Sequence, residues 1–401
     1  MRFNGEDAIA RRIQAFAARI AAAKANDEYF YNQAVRELRG GARVLVNGRE
    51  MGMYASYSYL GLIGHPRINA AAERALRKFG TGTHGVRSLA GTLTLHDELE
   101  QTIARFKNTE AALTFTSGYV TNLTVIAALV GRSDYVLSDK LNHASIVDGC
   151  LMSGAEFRRF RHRDMEDLEH RLQQVPDDAA RLVIADAVFS MDGDVIDLPR
   201  MAELCKRYGA YLMLDEAHSL GVLGATGRGI EEHFGVENVI DIKMGTLSKT
   251  IPSVGGYIAG ARELIDYLRH VSRAYIFSAA LAPAQAAAAN EAFQVILDEP
   301  DRIDRLNRNT RLFIDGLKSY GFDTLETTTA IVPVLCGSDV RAFAMTREAQ
   351  HRDVFVLPVV SPAVAEGLAR LRATVTAAHQ PADIEKAMEV IAAAGKNIGI
   401  I

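Results

Sequence analysis

Three runs of the chain, "ARLVIADAVFS" (180–190), "AYLMLDEAHS" (210–219) and "VIDIKMGTLSK" (239–249), are apolar along most of their length and lie about thirty residues apart. Strands of that kind are buried on both faces, so they predict a parallel sheet covered by helices on either side, with ligands gathering at the carboxyl ends of the strands. "AALTFTSG" (111–118) and "SDYVLSD" (133–139) read as further strands. Amphipathic runs such as "HDELEQTIARFKN", "DMEDLEHRLQQV" and "DLPRMAELCKRYG" supply the helices, the last closed by Gly209. From about 282 to 320 the pattern becomes a long helix interrupted near Pro300. After it come the strand "AIVPVLCG", a helix, the strands "VFVLPVV" and "LARLRATVTA" and a last helix, which make a smaller α+β domain. The reading divides the chain into an N-terminal helix and arm (1–50), a large α/β domain (51–285) and a small C-terminal α+β domain (286–401), without repeats or flexible linkers.

A net charge of −4 over 401 residues gives no basic footprint, so nucleic acid is set aside as a partner. Cys150, Cys205 and Cys336 are odd in number and lack metal-ligand spacing, so they read as reduced thiols of a cytoplasmic protein, and no metal ligand set is expected. Near the amino terminus, Ile9, Ile13, Phe16 and Ile20 recur at helical spacing, while Glu6 and Asp7 argue against a targeting peptide. The resulting amphipathic helix packs on the body or on a partner subunit. Its arginine-bearing face also suits peripheral contact with a membrane surface. Nothing in the sequence spans a bilayer.

The strand ends carry the chemistry. Asp215 closes an apolar strand with His218 three residues on, Ser190 closes another, His143 follows a third and Lys249 a fourth. A carboxylate in an apolar strand needs a cationic partner, because an unpaired buried charge costs several kcal/mol. A protonated pyridine nitrogen is such a partner, and a lysine amine condenses with an aldehyde on the same ring; together these demands describe pyridoxal 5'-phosphate. Its phosphate needs a cradle, which "FTSGYVTN" (115–122) offers through Ser117, Gly118 and Tyr119 at a strand-to-helix junction. Thr246 and Ser248 add hydroxyls from the lysine loop.

In that order, "FTSGYVTNL", "LNHASIVDG", "VFSMDGD", "LDEAHSLGVLGATGRG", "GTLSKTIPSVGG" and "RLRATVTAAH" resemble the signatures of the α-oxoamine synthases, fold-type I pyridoxal-phosphate enzymes, over residues 50 to 395. The resemblance implies a mainly parallel seven-stranded sheet flanked by helices and a homodimer with shared active sites. Lys249 resembles the lysine that holds the cofactor and, once released, acts as general base at the α-carbon. Asp215 matches the partner of the ring nitrogen, His143 the histidine stacked on the ring, and His218 and Ser190 donors to its phenolic oxygen. Arg372 matches the arginine that receives the substrate carboxylate, and Arg370, two residues away on the same strand face, is its rival. Arg87 and Ser58 match further substrate-side positions, and Ser278 a hydroxyl reaching the phosphate from the other subunit. Ser248 before the lysine, "YASYSYLGL" and "AGKNIGII" lean toward serine palmitoyltransferases, whereas His84, Ser58 and Pro252 depart from them. The resemblance thus implies decarboxylative joining of an amino acid, L-serine first, to an acyl thioester carried by coenzyme A or acyl carrier protein, as in sphingolipid biosynthesis. Glycine- or alanine-using synthases and a non-catalytic partner subunit are the alternatives, the last weakened by the presence of Lys249.

Overall fold

The computed structural model describes residues 7–401. The chain opens with helix α1 (Ala8–Ala25) and a meander of β1 (Val35–Arg39), β2 (Arg43–Val46) and β3 (Arg49–Met53). Next come α2 (Pro66–Phe79), α3 (Thr94–Phe106), β4 (Ala111–Phe115), α4 (Gly118–Leu129), β5 (Tyr135–Asp139), α5 (Ala144–Ser153), β6 (Glu156–Phe160) and α6 (Met165–Gln173). The large domain continues through β7 (Arg181–Asp186), α7 (Leu198–Arg207), β8 (Tyr211–Asp215), α8 (Ile230–Phe234), β9 (Ile242–Thr246), β10 (Gly256–Gly260), α9 (Arg262–Val271) and α10 (Arg273–Phe277). The remainder is α11 (Pro283–Asp298), α12 (Asp301–Ser319), β11 (Ile331–Gly337), α13 (Asp339–His351), β12 (Val354–Phe355), β13 (Leu357–Val359), β14 (Ala369–Thr374) and α14 (Pro381–Ile398).

The central sheet has seven strands in the order β4-β10-β9-β8-β7-β5-β6, and only β10 runs antiparallel. Its inner strands are buried on both faces: Val183, Ile184, Leu212, Met213 and Leu214 have no exposed surface. Helices cap them as their sequences direct. Asp197 accepts the Arg200 amide at the start of α7, Pro199 occupies its first turn, and Gly209 beyond its end takes φ +62°. The strand order reverses at β5 and β7, so the connections after these two strands diverge and open a crevice at their carboxyl ends.

The helical stretch from 282 to 320 is two helices, with Pro300 capping the second. The run "VFVLPVV" is two short strands rather than one. Val354 and Phe355 pair in parallel with β3 of the amino-terminal meander, whereas Leu357 to Val359 pair antiparallel with β14 of the small sheet β11-β14-β13. Helix α1 forms where its periodicity places it, with the Asp7 carboxylate accepting from Ile9 and Ala10 amides at 2.8 and 3.0 Å. Of the two expected placements, on the body or on a partner subunit, the body does not cover its apolar stripe, since Ile9, Ile13 and Phe16 are exposed. Glu6 lies outside the described residues. Among the described residues no helix is long and apolar enough to cross a membrane.

Candidate active site

The carboxyl ends of β7, β8 and β9 coincide, Asp186 lying opposite Asp215 and Asp215 opposite Met244. Ser117, Gly118, Tyr119, His143, Ser190, Asp215, His218, Thr246, Ser248 and Lys249 all line one cavity of about 240 Å³ at this edge. A second cavity of about 440 Å³ shares Ser248 and Lys249 with it and adds Tyr57 and Ser58. A larger one, about 1010 Å³, opens at the opposite, amino end of the strands around Tyr211, Asp241 and Lys243, away from the converging groups.

Asp215 is buried and held from two sides. Asn122 Nδ2 donates to its Oδ2 at 2.8 Å and the Ala217 amide to its Oδ1 at 2.9 Å. Asn122 also donates to Ser145 Oγ at 2.9 Å, and Ser145 meets His143 Nδ1 at 2.8 Å, so the carboxylate and the imidazole share one network. The His143 amide is anchored on Asp186 Oδ2 at 2.9 Å. Burial, with the Asp215 carboxylate beside it, pushes the Asp186 carboxyl well above its ordinary range. Burial lowers the His143 imidazole, Lys249 assisting and Asp215 opposing.

Lys249 Nζ lies 2.9 Å from His218 Nε2, and the other nitrogen of that ring is 2.6 Å from the Tyr59 hydroxyl. Burial brings the lysine amine down to about 8, with Asp215 and Asp186 opposing and Arg372 assisting. Burial also holds His218 well below its ordinary value, reinforced by the cations of Lys249 and Arg372. The Lys249 head is therefore a base available near neutral pH.

At the head of α4, Ser117 Oγ accepts the Val120 amide at 3.1 Å. A Cβ on Gly118 would stand 3.0 Å from Thr246 Oγ1, and Thr246 and Ser248 hydroxyls lie 2.8 Å apart. Free first-turn amides beside two hydroxyls, with room that only glycine leaves, make an anion cradle. These donors, the buried carboxylate and the lysine fit pyridoxal phosphate: Asp215 would hold the ring nitrogen, Lys249 the aldehyde carbon and the α4 cradle the phosphate.

The two arginines separate. Arg370 is spent on Asp192 in an ion pair and on the Leu368 carbonyl at 3.0 Å. Arg372 donates through Nε to the Ser190 carbonyl at 2.6 Å and through Nη1 to Thr374 Oγ1 at 3.1 Å, but its buried Nη2 has no partner. Its guanidinium and the Lys249 amine both lie over the Tyr57 ring, at 4.9 and 5.6 Å. Ser58 Oγ, also buried, is unpartnered. Arg87 lines neither cavity that holds Lys249 within one chain; its guanidinium donates to Glu100 at 2.7 Å and Thr114 at 3.1 Å. Ser278, at the end of α10, likewise lines neither of them. Asn122, Asp186 and Tyr59 had no predicted role, although Asn122 and Tyr59 sit inside two of the quoted motifs.

A sheet of this topology with lysine, carboxylate and anion cradle at its carboxyl edge defines a fold-type I pyridoxal-phosphate enzyme. Residues 54–391 match the family model described as aminotransferase class I and II, and the chain belongs to that family, in its α-oxoamine synthase branch. It is 44% identical to 8-amino-7-oxononanoate synthase 1 of Bacillus velezensis, covering 91% of this chain and 93% of that one. Against 8-amino-7-oxononanoate synthase of Geobacter sulfurreducens the identity is 45%, over 90% and 93%. The solved structure of Sphingomonas wittichii serine palmitoyltransferase superposes with a TM-score of 0.95 at 34% identity, covering 98% of this chain and all of that one.

Proposed function

We propose that this enzyme joins L-alanine to a seven-carbon acyl thioester with loss of carbon dioxide, giving 8-amino-7-oxononanoate or a close analogue. The relatives' product name supports this choice by carbon counting: cutting between carbons 7 and 8 of the nine-carbon acid leaves alanine less its carboxylate and a seven-carbon acyl group ending in a carboxylate. Serine was the first choice from the sequence, and the sequence relatives favour the alanine alternative over it. The carrying observation is the Lys249 amine, set on His218 at 2.9 Å and lowered to about 8, facing an Arg372 with an unpartnered nitrogen.

Bound pyridoxal phosphate supplies the electron sink for the α-carbon. Asp215 would hold the ring nitrogen in its protonated form, and His143 and His218, lining the same cavity, would orient the ring. Arg372 receives the amino-acid carboxylate through its free Nη2. Lys249 takes the α-proton; the α-carbon then bonds to the acyl carbonyl as the thiolate leaves and takes up a proton. Carbon dioxide departs from the same carbon, and Lys249 returns the proton to it. The active unit is a homodimer, with Ser278 of each copy reaching the phosphate of the other.

A second reading, L-serine, is supported by the close superposition on serine palmitoyltransferase and by the buried, unpartnered Ser58 hydroxyl beside Lys249. Titrating alanine, glycine and serine while following cofactor absorbance, then supplying pimeloyl and palmitoyl thioesters, distinguishes the two. Alanine with the pimeloyl thioester should give carbon dioxide fastest. Serine with the palmitoyl thioester turning over faster would replace the first reading by the second.

A further inference from the structure

Two groups of the cofactor cavity hang from one imidazole that lies outside it. His162, in the connection from β6 to α6, points Nδ1 at Asp139 Oδ1, 3.0 Å away, and Nε2 at Asp194 Oδ2, 2.8 Å away, with the Phe189 ring edge-on at 4.4 Å. Asp139 ends β5 and begins the turn to His143; it has no exposed surface, and its carboxylate also accepts the Leu141 and Arg163 amides at 2.8 Å each. Asp194 ends the loop that begins at Ser190, and its backbone carbonyl accepts the Phe189 amide at 3.0 Å. A carboxylate only accepts, so both ring nitrogens must donate, and only the imidazolium carries two N–H groups.

We propose that His162 is a positioning residue for the cofactor site: as a cation it ties the turn that carries His143 to the loop that carries Ser190, and so sets the spacing between these two groups. Two guanidiniums join the same hub. Arg163 Nη1 stands 3.2 Å from Asp194 and 3.0 Å from Glu326, and Arg370 pairs with Asp192 in the same loop. Asp192, Asp194 and His162 approach within 4.8 Å of one another. The two guanidiniums already neutralise that cluster, which makes it an ion-pair hub rather than a cation site.

Burial opposes the charge on the ring, but hydrogen bonds to Asp139 and Asp194 outweigh it and push His162 up to about 9. A group raised above its unfolded value contributes fully below about pH 6.5 and is lost as pH rises through about 9. The clamp therefore holds through neutral pH and releases in alkali.

The test uses Lys249→Ala protein, in which the lysine cannot contribute a titration to cofactor binding. Pyridoxal-phosphate affinity is measured by fluorescence at about pH 7 and about pH 10 with and without His162→Gln. With His162 present the affinity should fall by roughly tenfold more across that interval than in the double variant, which should bind weakly throughout. His162→Arg, a permanent cation with several donors, should bind tightly and lose the step near pH 9. In holoenzyme with Lys249 intact, hydrogen exchange of His162→Gln should quicken in residues 139–143 and 187–194 together. Parallel pH profiles with and without His162→Gln, a step retained in His162→Arg, or unchanged exchange in both segments would overturn the proposal.

Discussion

The two walls of the Lys249 cavity are built on opposite plans. On the large-domain wall the two groups set against the resident cofactor's ring are already tied down: Asp215 has two donors, and His143 is fixed by Ser145 and by its own amide on Asp186. On the small-domain wall Arg372 keeps a buried nitrogen without a partner. A permanent ligand can be met by a finished network, because its pairing persists; a transient one must find a donor still free when it arrives. The pair Arg370 and Arg372 shows the same contrast within one strand: one is consumed in holding Asp192, the other is left to bind.

Substitutions at five positions test that contrast. Lys249→Ala should have the largest effect, removing turnover by about 10⁴-fold or more together with the visible absorbance band, as measured by steady-state assay and spectrum. Burial lowers the Lys249 amine to about 8, so in cofactor-free protein the penalty of its buried charge should fade as pH rises from there toward 10.5: Lys249→Met should melt higher than wild type at neutral pH, and the gap should narrow across that window. Asp215→Asn should slow α-proton exchange of the amino acid by roughly 10²–10³-fold and loosen the cofactor, the cost of unpairing a buried charge. Wild-type exchange in that variant would break the satisfied-wall account.

Arg372→Ala should weaken amino-acid affinity by roughly ten- to hundredfold, about 1.5–3 kcal/mol, with the cofactor retained. Arg370→Ala should leave that affinity within about twofold while lowering the melting temperature, and the reverse pattern would exchange their roles. On the other wall the smallest effect belongs to Asn122→Ala, which removes one donor from Asp215 while Ala217 remains; cofactor affinity should drop by about two- to tenfold in equilibrium dialysis.

Strands buried on both faces announced themselves, and β5, β7, β8 and β9 lie where continuous apolar runs placed them. β6, "EFRRF", was hidden because it is a sheet edge whose Arg158 and Arg159 lie over the rings of Tyr135 and Phe157, so charge masks the strand. β10, "GYIAG", reads as a turn from its flanking glycines. Gly256 is instead required by packing, since a Cβ there would stand 2.7 Å from the Gly118 Cα. Lys249, Asp215 and His218 were legible because charge in apolar strand ends demands explanation. Asn122 and Tyr59 were not, because a neutral donor in a helix or loop shows its purpose only through the acceptor it meets. The Arg87 ion pair was hidden for a related reason, as its acceptor Glu100 lies in an amphipathic helix whose pattern gives no sign of an inward carboxylate.

The split of "VFVLPVV" between two sheets has a consequence for how the chain is made. β3 is finished by residue 53, yet its parallel neighbour β12 leaves the ribosome only after residue 355. At about 5–20 residues per second, the first sheet waits on the order of 15–60 seconds with an open edge while the whole large domain is synthesised. The closing strand is two residues long and continues directly into the small sheet, so the amino-terminal arm is completed by one of the last segments to emerge. Synthesis stalled before Val354 would leave that edge free to pair with the wrong neighbour, including the same edge of another nascent copy.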